Sequence, residues 1–328
     1  DPIKWTWIEW VIANMMKILV NEQNIRRIDG YRAEPINGAV GSFLTASNGV
    51  KRALRFWSYE EFRIKPSADF GVYTSSTMLT TVEGFIKHVN AIQGINLDGW
   101  NLYINDKHVN WYLSLYRAAY GLQQDFAGSK LKVMDFPNIN LVPVGNMGNS
   151  CFLILTMPGN IEFLENAAGE MAKMYFQQDM DELMVRSVWK EGVTAYMVGK
   201  KYATATARDA DAYKYQFIFT NEPITSLAAG ATTVDGSVND WFKTVANSGA
   251  TAITDITSAD YGRAYRIICG SATNATTIAK SGKFSAISAT WTPTAVGDFL
   301  EVYLFNDPND DTNALNGKFI ELKRKVTA

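Results

Sequence analysis

Apolar residues fall at helical spacing in "KWTWIEWVIANMMKILVNEQNIRRIDG", where Ile8, Val11, Ile12, Met15 and Leu19 form one stripe and Glu9, Lys17 and Asn21 lie off it. The spacing predicts a long amphipathic helix stopped at Asp29-Gly30. Trp5, Trp7 and Trp10 spread over more than one face of that helix, which points to contact with something beyond a single core side. From Tyr31 to Gly71 no period is sustained, and Gly, Pro, Asn and aromatic residues read as loops with short strands.

Periodicity returns in "TTVEGFIKHVNAIQG". Val82, Phe85, Ile86 and Val89 make the stripe, Thr80 and Glu83 have capping-box spacing, and Gly94 suits the left-handed position past the end. Trp100 to Ile104 then reads as a strand. It runs directly into a helix from about Asp106, with Val109, Leu113, Tyr116 and Tyr120 on one face, Gly121 closing it, and Asn105 or Asp106 as its cap. "INLVPVGNMGNSCFLILTMPGNIEFLEN" predicts a meander of three short strands, of which Cys151 to Leu155 is apolar enough to be covered on both faces. "DMDELMVRSVWKEGVTAYMVGKKY" continues as two strands with a bulge or tight turn at Glu191-Gly192.

Past Ala203 the texture changes to Ala, Thr, Ser and Gly, with short apolar runs in "RAYRIICG", "KFSAISATW" and "FLEVYLF". One short helix is expected at "VNDWFKTVAN", inside what otherwise reads as an all-β sandwich. The expected division is therefore an α+β unit over residues 1–207 and a β-sandwich domain over 208–328.

Composition narrows the partners. The chain has 328 residues and 47% hydrophobic content, enough for two cores, and a net charge of -2 that gives no global attraction for nucleic acid or an anionic membrane. No stretch reaches the ~20 apolar residues of a membrane span, since Glu9, Asn14 and Lys17 interrupt the most apolar one. Cys151 and Cys269 each sit inside an apolar run and read as buried unpaired thiols in a reducing compartment, against the other reading of a disulfide or metal pair.

Candidate chemistry is sparse. His88 and His108 are the only histidines, one at the edge of a helical stripe and one in a first helical turn, with no nucleophile elbow near either. Asp179, Asp181 and Glu182 resemble a carboxylate cluster but also suit a solvated turn. "DPNDDTN", Asp307 to Asn313, has calcium-loop composition without the Gly and Glu that an EF-hand needs. "PVGNMGNS" lacks the Lys-Ser/Thr of a phosphate loop and precedes a strand. Trp241 and Trp291 read as buried residues, with a sugar-binding platform as the competing reading. No catalytic residue, cofactor or metal is expected, and the chain is not expected to be an enzyme.

Over residues 4–202 the order of elements resembles the shell domain of tailed-phage major capsid proteins with the Hong Kong 97 fold. The helix ending "NEQNIRRIDG" is similar to the spine helix of the peripheral subdomain. "TTVEGFIKHVNAIQG", "NLYIND" and "KHVNWYLSLYRAAYG" resemble the helix, strand and helix of the axial subdomain. "LVPVGNMGNSCFLILTMPGNIEFLE" and "DMDELMVRSVWKEGVTAYMVGKKY" resemble the family's meander and its strands returning to the peripheral subdomain. The resemblance implies a structural virion protein, made in a bacterial host cytoplasm, that assembles with itself as hexamers and pentamers, alone or with other capsid or decoration proteins. Such a shell encloses phage or prophage DNA without sequence-specific contact and involves no membrane.

The family's N-terminal arm and extended loop have no expected counterpart here, so its Lys-Asn crosslink is not carried over. The C-terminal β-region lies outside the minimal fold and is expected to decorate the surface or brace neighbouring subunits. Two alternatives stand beside this reading: an encapsulin-like compartment shell, and a carbohydrate-binding surface protein acting through the β-region.

Overall fold

The computed structural model describes residues 2–39, 41–67, 70–92, 96–121, 132–133, 135–166, 174–179 and 182–327. The chain is a mixed α+β protein built on two separate five-stranded sheets. It opens with α1 (Pro2–Asp29), the expected long helix, which stops where Gly30 turns the chain. A Cβ at Gly30 would lie 2.4 Å from the Arg26 carbonyl oxygen and 2.6 Å from that of Ser47, so only glycine lets the backbones approach this closely. The expected stripe does not become a core face. Val11, Ile12, Met15 and Leu19 are only half-buried and belong to no core cluster, while Trp7 and Trp10 are 61% and 65% exposed. The side chains of Trp5 and Ile8 lie outside the described ones. Among the described residues, α1 joins the cores through its last two turns, by Gln23, Ile25, Arg26 and Ile28.

Residues 31–71 contain a second helix, α2 (Val50–Tyr59), and a short 3-10 turn at Phe43–Thr45, where loops with strands were expected. α2 buries Val50, Leu54 and Ser58 on one face together with Lys51 and Arg55. Charge at two inward positions is what hid its period. Helix α3 (Met78–Asn90) carries the expected stripe, with Val82, Phe85, Ile86 and Val89 fully buried. Its N-cap is Thr77 and not Thr80; the Thr80 hydroxyl donates to the Thr77 carbonyl from inside the helix, and Glu83 pairs with Lys87 at 3.5 Å. Gly94 lies outside the described residues.

β1 (Asn101–Asn105) leads straight into α4 (Asp106–Tyr120), as the sequence predicted, with Asn105 as the cap. The buried face of α4 is turned toward His108, Val109 and Tyr112, leaving Tyr120 exposed. β2 (Lys132–Val133), β3 (Phe136–Val144) and β4 (Ile154–Thr156) follow, then β5 (Ile161–Glu165), β6 (Met174–Asp179), β7 (Glu182–Ser187) and β8 (Glu191–Ala195). The expected meander is not formed, because β1 inserts between β3 and β4. β1 pairs parallel to β3 and antiparallel to β4 in the order β2-β3-β1-β4. β5 pairs with β8, and β6 with β7, as two nested antiparallel ladders. Glu191 and Gly192 are regular members of β8 rather than a bulge, paired with Glu165 and Leu164.

After α5 (Ala205–Asp211) the strand β9 (Ile218–Thr220) pairs with β4 and completes the first sheet. The chain thus leaves that sheet after Thr220, whereas the composition change put the division near residue 207. α3 and α4 cover one face of the sheet and α2 the other. Leu153 and Leu155 join the α3/α4 core, while Phe152 and Ile154 join the α2 core. Alternation over two covered faces is why the Cys151–Leu155 run is apolar throughout.

The second sheet has the order β10 (Thr225–Ser226), β12 (Trp241–Lys243), β14 (Ala264–Ile268), β15 (Phe299–Leu304) and β16 (Phe319–Lys325). β11 (Thr233–Asp235) and β13 (Asp255–Thr257) form a separate parallel pair. The β10, β12 and β14 strands are parallel and the rest antiparallel, so one mixed sheet with a small ladder stands in place of a sandwich of two comparable antiparallel sheets. The helix expected at "VNDWFKTVAN" is strand β12. Residues 239–242 are all buried there, and a lone helix exposes one side to water. "KFSAISATW" forms a 3-10 turn at Gly282–Phe284 and an isolated bridge at Trp291, not a strand.

Asn105 locks the corner between β1 and α4. Its side chain accepts from the Lys107 amide at 3.2 Å and donates to the carbonyls of Gly148 and Ser150 at 3.0 and 3.1 Å, with no exposure. Asn105→Ala removes the cap and strands two buried carbonyls, so a loss of about 2 kcal/mol in urea unfolding is expected. Asn105→Asp keeps the cap acceptor, removes the donors and is expected to unfold no later than wild type.

Candidate functional site: a buried charged junction

The two sheets meet at a layer of charge. Lys51 and Arg55 lie one turn apart on the inward face of α2. Asp29 ends α1, Glu222 follows β9, Asp240 precedes β12, and Arg266 and Glu301 sit on β14 and β15. Lys51 Nζ lies 2.7 Å from Asp29 Oδ1 and 3.0 Å from Asp240 Oδ2. Arg55 donates through both terminal nitrogens to Asp240, at 3.0 and 3.2 Å, and its Nε lies 3.9 Å from Glu222. Glu301 takes Arg52 and Arg266 together, the latter at 3.1 Å. The guanidinium carbons of Arg55 and Arg266 stand 3.9 and 4.6 Å from the centre of the Trp241 ring. Planar guanidinium groups over an indole keep part of their stabilisation where water is absent.

Burial pushes the Asp240 carboxyl up, but Arg55 and Lys51 outweigh it and hold that group well below the usual range. The same contest brings Glu301 down, through Arg266 and Arg52. Glu222 goes the other way: burial raises it, and Arg55 offsets only part of that. Such a lattice contributes little net stability against an apolar packing of equal volume, yet losing one member leaves a buried charge alone. It therefore fixes how the two sheets sit together more than it strengthens either.

A second feature is the docking of the β5/β8 ladder on α1. Gln23 donates to Glu165 and Glu191 at 3.1 Å each, Arg27 pairs with Glu165 at 2.6 Å, and Arg26 pairs with Glu191. Ser47 and Trp189 also donate to Glu191, at 2.8 and 3.0 Å. Outward from this seam several large apolar side chains are exposed: Trp7, Trp10, Ile18 and Val20 on α1, and Phe163, Leu164 and Tyr175 on the ladders.

The residues singled out from the sequence are scattered. His108 is buried, shares a 3.0 Å hydrogen bond between its Nδ1 and the Tyr73 hydroxyl and stacks on Trp111 at 4.2 Å; burial pushes its pKa down. His88 packs against Phe70 and Tyr213 in different surroundings. Asp179 faces Glu182 across the end of the β6–β7 hairpin, and Asp181 lies outside the described residues. Asp307 and Asp310 accept from amides two residues on, of Asn309 and Thr312, within their own loop. In "PVGNMGNS", Asn146 and Gly148 adopt positive φ in a turn.

Cys151 and Cys269 are free and buried, and burial pushes the Cys151 thiol up to about 11. Trp241 and Trp291 are 2% and 0% exposed, which removes both as a sugar platform. Among the described residues no cluster of three or more metal-ligating side chains could hold an ion, and no helix is long and apolar enough to cross a membrane. The junction itself went unread, although isolated charges in apolar runs signalled it: Arg266 in "RAYRIICG" and Glu301 in "FLEVYLF".

Fold and site together define a class: a mixed α+β protein of two sheets joined by a buried ionic layer, with one long helix left largely outside its cores. Comparison of the chain with protein-family models, curated proteins and solved structures gives no match.

Proposed function

We propose that this chain is a shell-forming structural protein, the major capsid subunit of a tailed phage or prophage, whose partners are copies of itself. One observation carries the reading. α1 runs 28 residues, is held at its C-terminal end by the β5/β8 ladder, and leaves Trp7, Trp10, Ile18 and Val20 exposed. A monomer gains nothing from such a helix, whereas a lattice of identical subunits covers it with neighbours. The compact unit of α3, β1, α4 and the first sheet supports the same reading, since a spine helix with a strand ladder beside an axial α/β body is what the resemblance implies. The second sheet, joined through the charged layer, then sits as an added domain bracing or decorating the shell, and the virion is the expected location.

Electron microscopy of the gene product carrying this sequence, expressed in a bacterial host, tests the proposal by the presence of closed shells. Trp10→Ser takes one exposed ring off α1 and is expected to reduce particle yield several-fold, with the circular dichroism of the subunit unchanged. Uniform monomers at every concentration, by light scattering, would sink the reading.

A further inference from the structure

Where α1, α2 and the second sheet meet, the junction holds a partly open pocket of about 20 Å³. That is room for one water or one monatomic ion. Its charged lining comprises Lys51, Arg52, Arg55 and Arg263 against Asp29, Asp240 and Glu301, which leaves one positive charge in excess. Adding the next neighbours, Arg266 and Glu222, does not remove the excess. Arg263 also reaches Asp260 at 3.3 Å, but that carboxylate is exposed and water screens it. The side chains of Arg55 and Arg263 are nine-tenths buried, and the Nε–H of each finds no hydrogen-bond acceptor. α2 starts from Gly49, a cap without a side-chain acceptor, with the carbonyls of Arg26 and Ile28 at the end of α1 close against it; its first-turn residues Lys51 and Arg52 reach the cavity.

We propose that this cavity binds one monovalent, halide-sized anion, chloride under ordinary conditions, held between the first turn of α2 and the guanidinium groups of Arg55 and Arg263. A water would satisfy the orphaned N–H groups but leave the buried charge unbalanced; an anion does both. Burial raises the Glu222 carboxyl, a neighbour outside the cavity lining, which weakens the countercharge beside Arg55. The ion would tie the two sheets together, and the inference stands whether or not the chain builds shells.

Replacing sodium gluconate by sodium chloride at constant ionic strength tests it. The thermal midpoint is expected to rise by about 3 °C once chloride exceeds half-saturation tenfold. Arg263→Gln should abolish that dependence, and Lys323→Gln, in an exposed pair with Glu60, should retain it. Crystals soaked in bromide should show an anomalous peak in the cavity, a readout that does not require the Arg263 variant to fold. A midpoint indifferent to chloride, or a cavity holding water alone in bromide, overturns the proposal. A bromide peak without any change in midpoint identifies an adventitious ion only and overturns it as well.

Discussion

Asp240→Ala is expected to cost about 3–5 kcal/mol of stability, the range for removing one partner from a buried ion pair. The substitution strands Arg55 and takes one of two carboxylates from Lys51, which keeps Asp29 at 2.7 Å; both cations use Asp240 Oδ2 at 3.0 Å, and neither is more than marginally exposed. Arg55 keeps Glu222 at 3.9 Å, too far for a hydrogen bond to replace what is lost. Lys323→Ala is the matched control: it breaks an ion pair of similar length, to Glu60, on the surface, where less than about 1 kcal/mol is expected. Urea unfolding followed by tryptophan emission reads both, because Trp241 lies beneath Arg55. Equal effects of the two variants would show that the junction does not hold the sheets together.

Acid should loosen the long helix from its ladder. Burial pushes the Glu191 carboxyl up, but hydrogen bonds from Arg26, Ser47 and Trp189 outweigh it and bring its pKa from 4.5 down to about 2. A folded value below the unfolded one means a contribution that is whole above the unfolded pKa and lost as pH falls through the folded one. At about 1.4 kcal/mol per unit, Glu191 alone contributes on the order of 3 kcal/mol at neutral pH. Asp240 and Glu301 act in the same direction. Glu222 opposes them: its raised value gives stability at low pH that disappears as pH rises through it. The net expectation is a urea midpoint falling steadily from about pH 5 toward pH 2. Glu191→Gln should lower the neutral-pH midpoint and flatten the acid slope; parallel curves for variant and wild type would remove Glu191 from the account.

Elements with a clean local period or a strong cap could be read, and elements decided by distant partners could not. α3 and the β1–α4 corner stood out because Val82, Phe85, Ile86 and Val89 keep a clean period and Asn105 is a strong cap. α2 vanished because Lys51 and Arg55 occupy its core positions, neutralised by partners from residues 29 and 240 that no local window contains. β12 looked helical because Trp241, Phe242 and Lys243 are compatible with either period, and burial from both sides decided it. Strand order was hidden for a further reason. β1 sits between β3 and β4 although it precedes both in the chain, and nothing in a local window shows which strand edges meet. The candidate site was the least legible part, since it is assembled from six separate stretches, most of which signal it by a lone charge.

The position of β9 has a consequence for biosynthesis. β4 is complete at Thr156, but the strand that covers its outer edge is Ile218–Thr220, roughly sixty residues later. At about 5–20 residues per second a translating ribosome takes some 3–12 s to deliver it. Throughout that interval a nascent chain carries a buried-type strand, Ile154–Thr156, with unpaired backbone groups along one side. On a polysome, neighbouring nascent chains hold the same open edge at the same time, and edge-to-edge pairing between them competes with β9. Crowded translation therefore favours aggregation of this protein before release, and slower initiation, which spaces ribosomes apart, should raise the soluble yield without any change in sequence.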